Sequence, residues 1–278
     1  MERNADSPLY IERDTNRPPT KALWPILAGL AAIVLSPALE LATGSPLPFL
    51  LVLMLLIPAV WWWWRLSRDE VGLRVGRASH HAIAAVYPLI AVGGLAGLAA
   101  LAGDVDPGFR FSGVVLQELA IMLASTWLGV LITEEGFFRG ALWGLSTRAR
   151  WSSGAVLLWT SLAFAAWHIA VPLIEEPFRL PAAQLPVYLL NASLLGIAWG
   201  LLRLGSGSVP VACSAHAVWN ALVYVLFGYG PKSTALGVSR IDLFDPERGL
   251  LGLAVNVIVV LLLLAWVRRR GISLVQPA

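Results

Sequence analysis

The chain has 278 residues, 58% of them hydrophobic and only 13% charged, with a net charge of +3. Soluble domains carry about 25% charged residues, so this composition excludes an ordinary water-soluble domain. So small a charge, spread over scattered basic residues, excludes a nucleic-acid binder, and the single cysteine, Cys213, excludes an intrachain disulfide framework. Residues 1–21 are polar, contain proline and mix both charges, which predicts a disordered cytoplasmic leader rather than a cleavable signal peptide. Eight apolar segments follow, at 22–42, 47–64, 82–102, 113–135, 153–171, 184–204, 207–229 and 249–267. Each approaches the ~20 residues that a membrane-crossing helix needs. The predicted fold class is therefore all-α, a polytopic membrane bundle of about eight transmembrane helices. Three of them occupy 22–112, and polar motifs concentrate in 113–222. The end of helix seven, an outer loop and the last helix fill 223–278. The run Trp61 to Arg68 reads as an interfacial aromatic belt closed by a basic stop.

With the N-terminus placed inside, the leader, the connections 65–81 and 136–152, Arg203 and Arg268 to Arg270 face the cytoplasm and hold 15 of the 20 Lys and Arg residues. Arg110, Arg179, Lys232, Arg240 and Arg248 remain outside, beside the acids Glu175 and Glu176. That bias predicts both termini in the cytoplasm, in a multi-pass protein of the cell membrane.

Ionisable groups at membrane depth are costly and mark function by default. The spans contain Glu40, Glu118, Glu134, Glu135, His168 and His216, with Asn191, Asn220 and Asn256 as strong neutral polar groups. Glu40 and Glu118 lie near span ends, where both reach an interface, and His80 and His81 read as solvated residues of a cytoplasmic connection. Glu135 and Arg139 stand four apart and share a helix face, so they can close an ion pair. Glu134 lies about 100° further round and is less well neutralised. One acid is thus structural and the other free for chemistry. Phe164 and His168, and His216 and Asn220, are also four apart, each pair on one face of its helix. A base, proton carriers and an amide donor are the parts that activate water and stabilise an oxyanion. Glu134 and His168 are equidistant in sequence from Trp151, so a hairpin turning near Arg150 to Gly154 brings them to one depth.

These residues resemble the CPBP intramembrane protease family, also called the type II CAAX prenyl protease or Abi family. Glu134 to Arg139 fits its EExxxR, Phe164 to His168 its FxxxH, and His216 to Asn220 its HxxxN/D, in the family's order. The resemblance covers roughly 113–222 and implies an endopeptidase that cleaves a membrane-associated protein or peptide near the cytoplasmic face. It implies that Glu134 activates water with help from His168, that His216 and Asn220 stabilise the oxyanion, and that Glu135, Arg139 and Phe164 give structural support. Members are often named metalloproteases. HExxH is absent here, but zinc could be held by Glu134, His168, His216 and a water. A metal-free, glutamate-activated water uses the same residues and is the reading preferred here. Eukaryotic members trim prenylated CAAX proteins, and others are associated with bacteriocin immunity and peptide processing.

Two other classes compete. A proton-coupled transporter would also carry His and Glu at depth, yet no internal repeat is present. A non-catalytic scaffold or immunity protein could keep the motifs and bind without cutting. Cys213, three residues before His216, is better explained as a small helix-packing residue than as a nucleophile.

Overall fold

The computed structural model describes residues 20–175, 178–228 and 234–276. Most of the expected leader, together with Glu176 and Lys232, lies outside the described residues. The described chain is all-helical, as lipid requires: a helix satisfies every backbone N–H and C=O within one segment. In order come α1 (Leu23–Thr43), α2 (Leu47–Trp63), α3 (Ala78–Leu101), α4 (Gly113–Ile132), α5 (Leu142–Arg148), α6 (Ser153–His168) and α7 (Ala170–Ile174). Then follow α8 (Leu185–Ser206), α9 (Val209–Leu222), α10 (Ile241–Phe244) and α11 (Leu250–Arg269), with π-helical turns at Gly136–Ala141 and Val223–Phe227. Seven segments among the described residues are long and apolar enough to cross a membrane. The eighth expected span, α2, is an apolar helix of 17 residues, about 26 Å long against a hydrocarbon core of about 30 Å. The chain is an integral, multi-pass membrane protein.

Serine caps begin three of these helices. Ser112, Ser152 and Ser208 accept from the backbone N–H of Val115, Ala155 and Val211, each satisfying a first-turn donor that the helix itself leaves open. The most buried spans, α8 and α9, form the centre. α9 lies against α3 and α4, α8 against α6 and α11, and α1 pairs with α2 at the periphery. Peripheral leucines such as Leu55, Leu101 and Leu262 point outward, where lipid is their natural solvent. One glycine sets the central spacing. A Cβ on Gly196 would stand 3.2 Å from the Ser161 backbone and 3.3 Å from Arg139 Nη2, so its absence lets α8 close on α6.

The connection between α2 and α3 departs from the solvated loop expected of it. Trp61 Nε1 donates to the Leu66 carbonyl at 2.7 Å, and Arg148 makes a two-pronged ion pair with Glu70. Buried Arg203 donates to the carbonyls of Glu70 and Arg139, each at 3.1 Å. α3 starts at Ala78, four residues before the expected 82, and takes both histidines with it. His80 is buried beside Trp266. His81 joins Ser214 Oγ at 2.9 Å to the Val75 carbonyl at 2.6 Å. The solvated reading of these two residues is corrected because α11 packs Trp266 against His80 and α9 brings Ser214 to His81, which is half-buried. Glu40 is corrected as well: it is buried, with one carboxylate oxygen unpartnered, whereas Glu118 is exposed.

Candidate active site

The adjacent acids sit on a broken helix. α4 ends at Ile132, three residues short of the expected 135, and Thr133 leaves the helical region at φ −126°, ψ −99°. Its hydroxyl donates back to the Gly129 carbonyl at 2.7 Å. Helical backbone resumes at Glu134 and Glu135, widens into the π-helical turn and passes into α5. Such widened turns occur often at functional sites. Gly136 is required here, since a Cβ would fall 2.1 Å from the Leu131 carbonyl oxygen. The chain then reverses through Arg150, at φ 60°, and restarts at the Ser152 cap. Glu134 and His168 thereby come level, as their equal distance from Trp151 predicts.

Glu134 Oε2 is buried, has no hydrogen-bond partner, and lies 3.5 Å from His168 Nε2 and 3.9 Å from His216 Nε2. Both imidazoles are oriented from behind. His168 Nδ1 meets the Phe164 carbonyl at 2.9 Å and His216 Nδ1 meets Glu135 Oε1 at 3.0 Å. With each Nδ1 donating, each Nε2 turns a lone pair toward Glu134. The two acids differ in their partners, although each keeps one buried oxygen, Oε2, without a hydrogen bond. Glu135 Oε1 also accepts from Arg139 Nη1 at 3.1 Å, and both side chains are fully buried. Arg139 Nη2 donates to the Gly196 carbonyl at 2.9 Å, and its guanidinium lies 4.5 Å from the Phe164 ring centre. The Phe164 ring in turn packs on His168 at 4.1 Å.

His216 stacks on Trp199 at 3.7 Å, and Trp199 Nε1 donates to the Tyr87 hydroxyl at 2.8 Å. A small chamber of about 30 Å³ is lined by His168, His216 and Asn220, with Trp199, Tyr188 and Glu247 among its other walls. On the far side of Gly136, residues Met54, Ile57, Trp61, Leu131 and Val209 line an apolar groove. Three features escaped sequence reasoning: the Glu135–His216 bond, the support of Trp199 by Tyr87, and Glu247 in the chamber wall. Each joins residues far apart in the chain, and no spacing rule reports such pairs.

A metal centre requires its donors to converge on one point. Glu134 Oε2 approaches both Nε2 atoms. Among the described residues, however, no group of three or more His, Cys, Asp or Glu side chains is placed to hold a metal ion together.

Residues 116–222 match the family model described as type II CAAX prenyl endopeptidase Rce1-like. The matched stretch holds all three motifs and runs from α4 to the end of α9. No curated protein and no solved structure matches the chain.

Proposed function

We propose, taking as premise that the core of this chain belongs to the type II CAAX (CPBP) protease family, that it cleaves a membrane-associated protein or peptide near the cytoplasmic face with water activated by Glu134. The observation that carries this reading is the unpartnered Glu134 Oε2 facing two imidazole nitrogens at 3.5 and 3.9 Å. Glu134 takes a proton from water, and the hydroxide adds to the scissile carbonyl. The oxyanion receives a hydrogen bond from the Asn220 amide. A second comes from His216, which in its protonated form keeps Nδ1–H on Glu135 and presents Nε2–H. His168, its Nδ1–H tied to the Phe164 carbonyl, accepts the proton at Nε2 and delivers it to the leaving nitrogen as the C–N bond breaks. Glu135 and Arg139 hold the π-helical turn and the His216 ring in register. The apolar groove beside Gly136 gives the hydrocarbon part of a substrate a place to lie.

The experiment is a comparison of membrane proteomes with the wild-type chain and with Glu134→Ala. A substrate accumulates uncut and associates with the variant, and its shortened form appears only with the wild type. Identical proteomes would count against proteolysis and favour the scaffold reading. The proposed topology, with both termini cytoplasmic, is tested by labelling single cysteines placed at the two ends in a Cys213→Ala background. An outward C-terminus would overturn it.

A further inference from the structure

Far from the acids, at the end of the bundle where basic residues gather, two long helices meet: α3 begins at Ala78 and α11 ends at Arg269. Arg268 and Arg269 close α11 and Arg270 follows as its C-cap. Among the described residues none of these three forms an ion pair, whereas Arg74, Arg139, Arg148 and Arg248 each have a carboxylate. Arg270 is nevertheless held in place. Its guanidinium lies 5.4 Å from the Trp266 ring centre. That ring fills a notch left by Gly205, where a Cβ would fall 2.1 Å from it. It also meets the His80 ring edge-on, with centres 5.7 Å apart.

His80 stands in the first turn of α3, is only 2% exposed, and has no hydrogen-bond partner for Nδ1. Arg270 Nε is buried and unpartnered too, although the residue as a whole is half-buried and reaches the surface. The charges of Arg270 and Arg77 both act on His80. Arg77 is the N-cap of α3, and no side chain caps that end of the helix. One corner thus gathers a guanidinium fixed on an indole, an imidazole and the positive end of a 24-residue helix. Among the described residues no carboxylate pairs with Arg270 or His80. Donors so arranged suit an oxyanion.

Below this rim lies surface made for hydrocarbon. Ile258, Leu262 and Arg269 are spaced by four and seven residues, fall on one face of α11, and are all exposed. A ligand with an anionic head and aliphatic tails matches that order, whereas a soluble anion would use the rim alone. Basic clusters at the ends of spanning helices attract anionic lipid in the same way.

We propose that the corner between the start of α3 and the end of α11 binds the phosphate head group of an anionic phospholipid, with Arg270 as its main ligand and Ile258 and Leu262 along the acyl chains. This site does not depend on the protease reading. To test it, the full-length protein is purified in detergent and stripped of lipid. Its unfolding midpoint is then followed on adding phosphatidylglycerol, phosphatidylcholine or inorganic phosphate. Excess phosphatidylglycerol should raise the midpoint by about 5 °C or more, and high salt should reduce the rise. Phosphatidylcholine and inorganic phosphate should each give less than about half of it. Arg270→Gln should remove most of the rise and Arg270→Lys should keep part of it. Arg268→Gln subtracts the same charge about 200° round the helix from Arg270 and should leave the rise intact. Equal shifts with the two lipids, or a full shift from phosphate alone, would overturn the lipid site without reference to any variant. Equal losses in Arg270→Gln and Arg268→Gln would overturn it as well, since charge anywhere on this face would then suffice.

Discussion

Replacing Glu135 by Gln probes the acid that holds the site rather than the one that reacts. Its Oε1 accepts from Arg139 Nη1 and His216 Nδ1 at 3.1 and 3.0 Å. The amide keeps the volume and one acceptor oxygen. It takes from buried Arg139 its ion-pair partner and leaves the guanidinium with neutral contacts, the Gly196 carbonyl and the Phe164 and Trp199 rings among them. Removing one member of a buried pair costs about 3–5 kcal/mol, because the remaining charge is uncompensated. At about 2–4 °C per kcal/mol for a chain of this size, the unfolding midpoint should fall by roughly 6–20 °C. The assay follows the surviving monodisperse fraction of detergent-solubilised protein after heating. Adding Arg139→Met removes the orphaned charge, so the double variant should be more stable than the two single losses added together. A Glu135→Gln protein within about 2 °C of wild type, or strictly additive losses, would refute the reasoning.

Glu134→Gln should reduce turnover by about 10²–10⁴-fold or more while leaving the unfolding midpoint near wild type, since Oε2 has no bond to lose. Near-normal turnover in that variant would remove Glu134 from the mechanism. Gly136→Ala should lower both stability and activity, because its Cβ would fall 2.1 Å from the Leu131 carbonyl oxygen, and an unchanged midpoint sinks the claim. If Glu134 activates water unaided, the purified active protein should hold less than one equivalent of zinc and retain activity in a strong chelator. Stoichiometric zinc, with activity lost to chelator and restored by the metal, would reverse that preference. Burial, reinforced by the Asp245 charge, pushes the Glu247 carboxyl from 4.5 up to about 7. The folded state therefore binds that proton more tightly than the unfolded one, so stability should fall between about pH 4.5 and 7 and level off above. Glu247→Gln should flatten this slope, worth roughly 2 kcal/mol after allowance for partial exposure, and an unchanged slope contradicts the assignment.

What the sequence discloses here is what local periodicity controls. Span positions follow from apolar runs, and the i,i+4 rule identifies the Glu135–Arg139 pair. Equal spacing about Trp151 anticipates that Glu134 and His168 meet across a hairpin. The break at Thr133 and the widened turn after it were not legible, because "LITEEGFFRG" reads as one continuous helix until the clash at Gly136 is seen. His80 and His81 were misassigned since their contacts depend on where α11 and α9 pack. Glu135 was recognised as a partner of Arg139 but not of His216, because that second bond crosses from the π-helical turn to α9. Glu247 carried no signal at all beyond being an acid in an outer loop.

The buried Arg203 also bears on how this region of sequence can be handled. Its guanidinium sits against Gly72 and donates to the Glu70 carbonyl, both before the matched stretch begins. Arg148 is answered by Glu70, Ser214 by His81, and Trp219 by Glu247. These polar side chains within 116–222, and Trp159, Trp167, Asn191 and Trp199 with them, thus find partners on either side of it. The matched stretch is therefore a span of similarity rather than a detachable unit. Cutting the chain at its borders would expose half-satisfied polar groups to lipid, where no water replaces the missing partner. Grafting the three motifs onto another bundle would carry over the acids and histidines but not the surroundings that keep them in place.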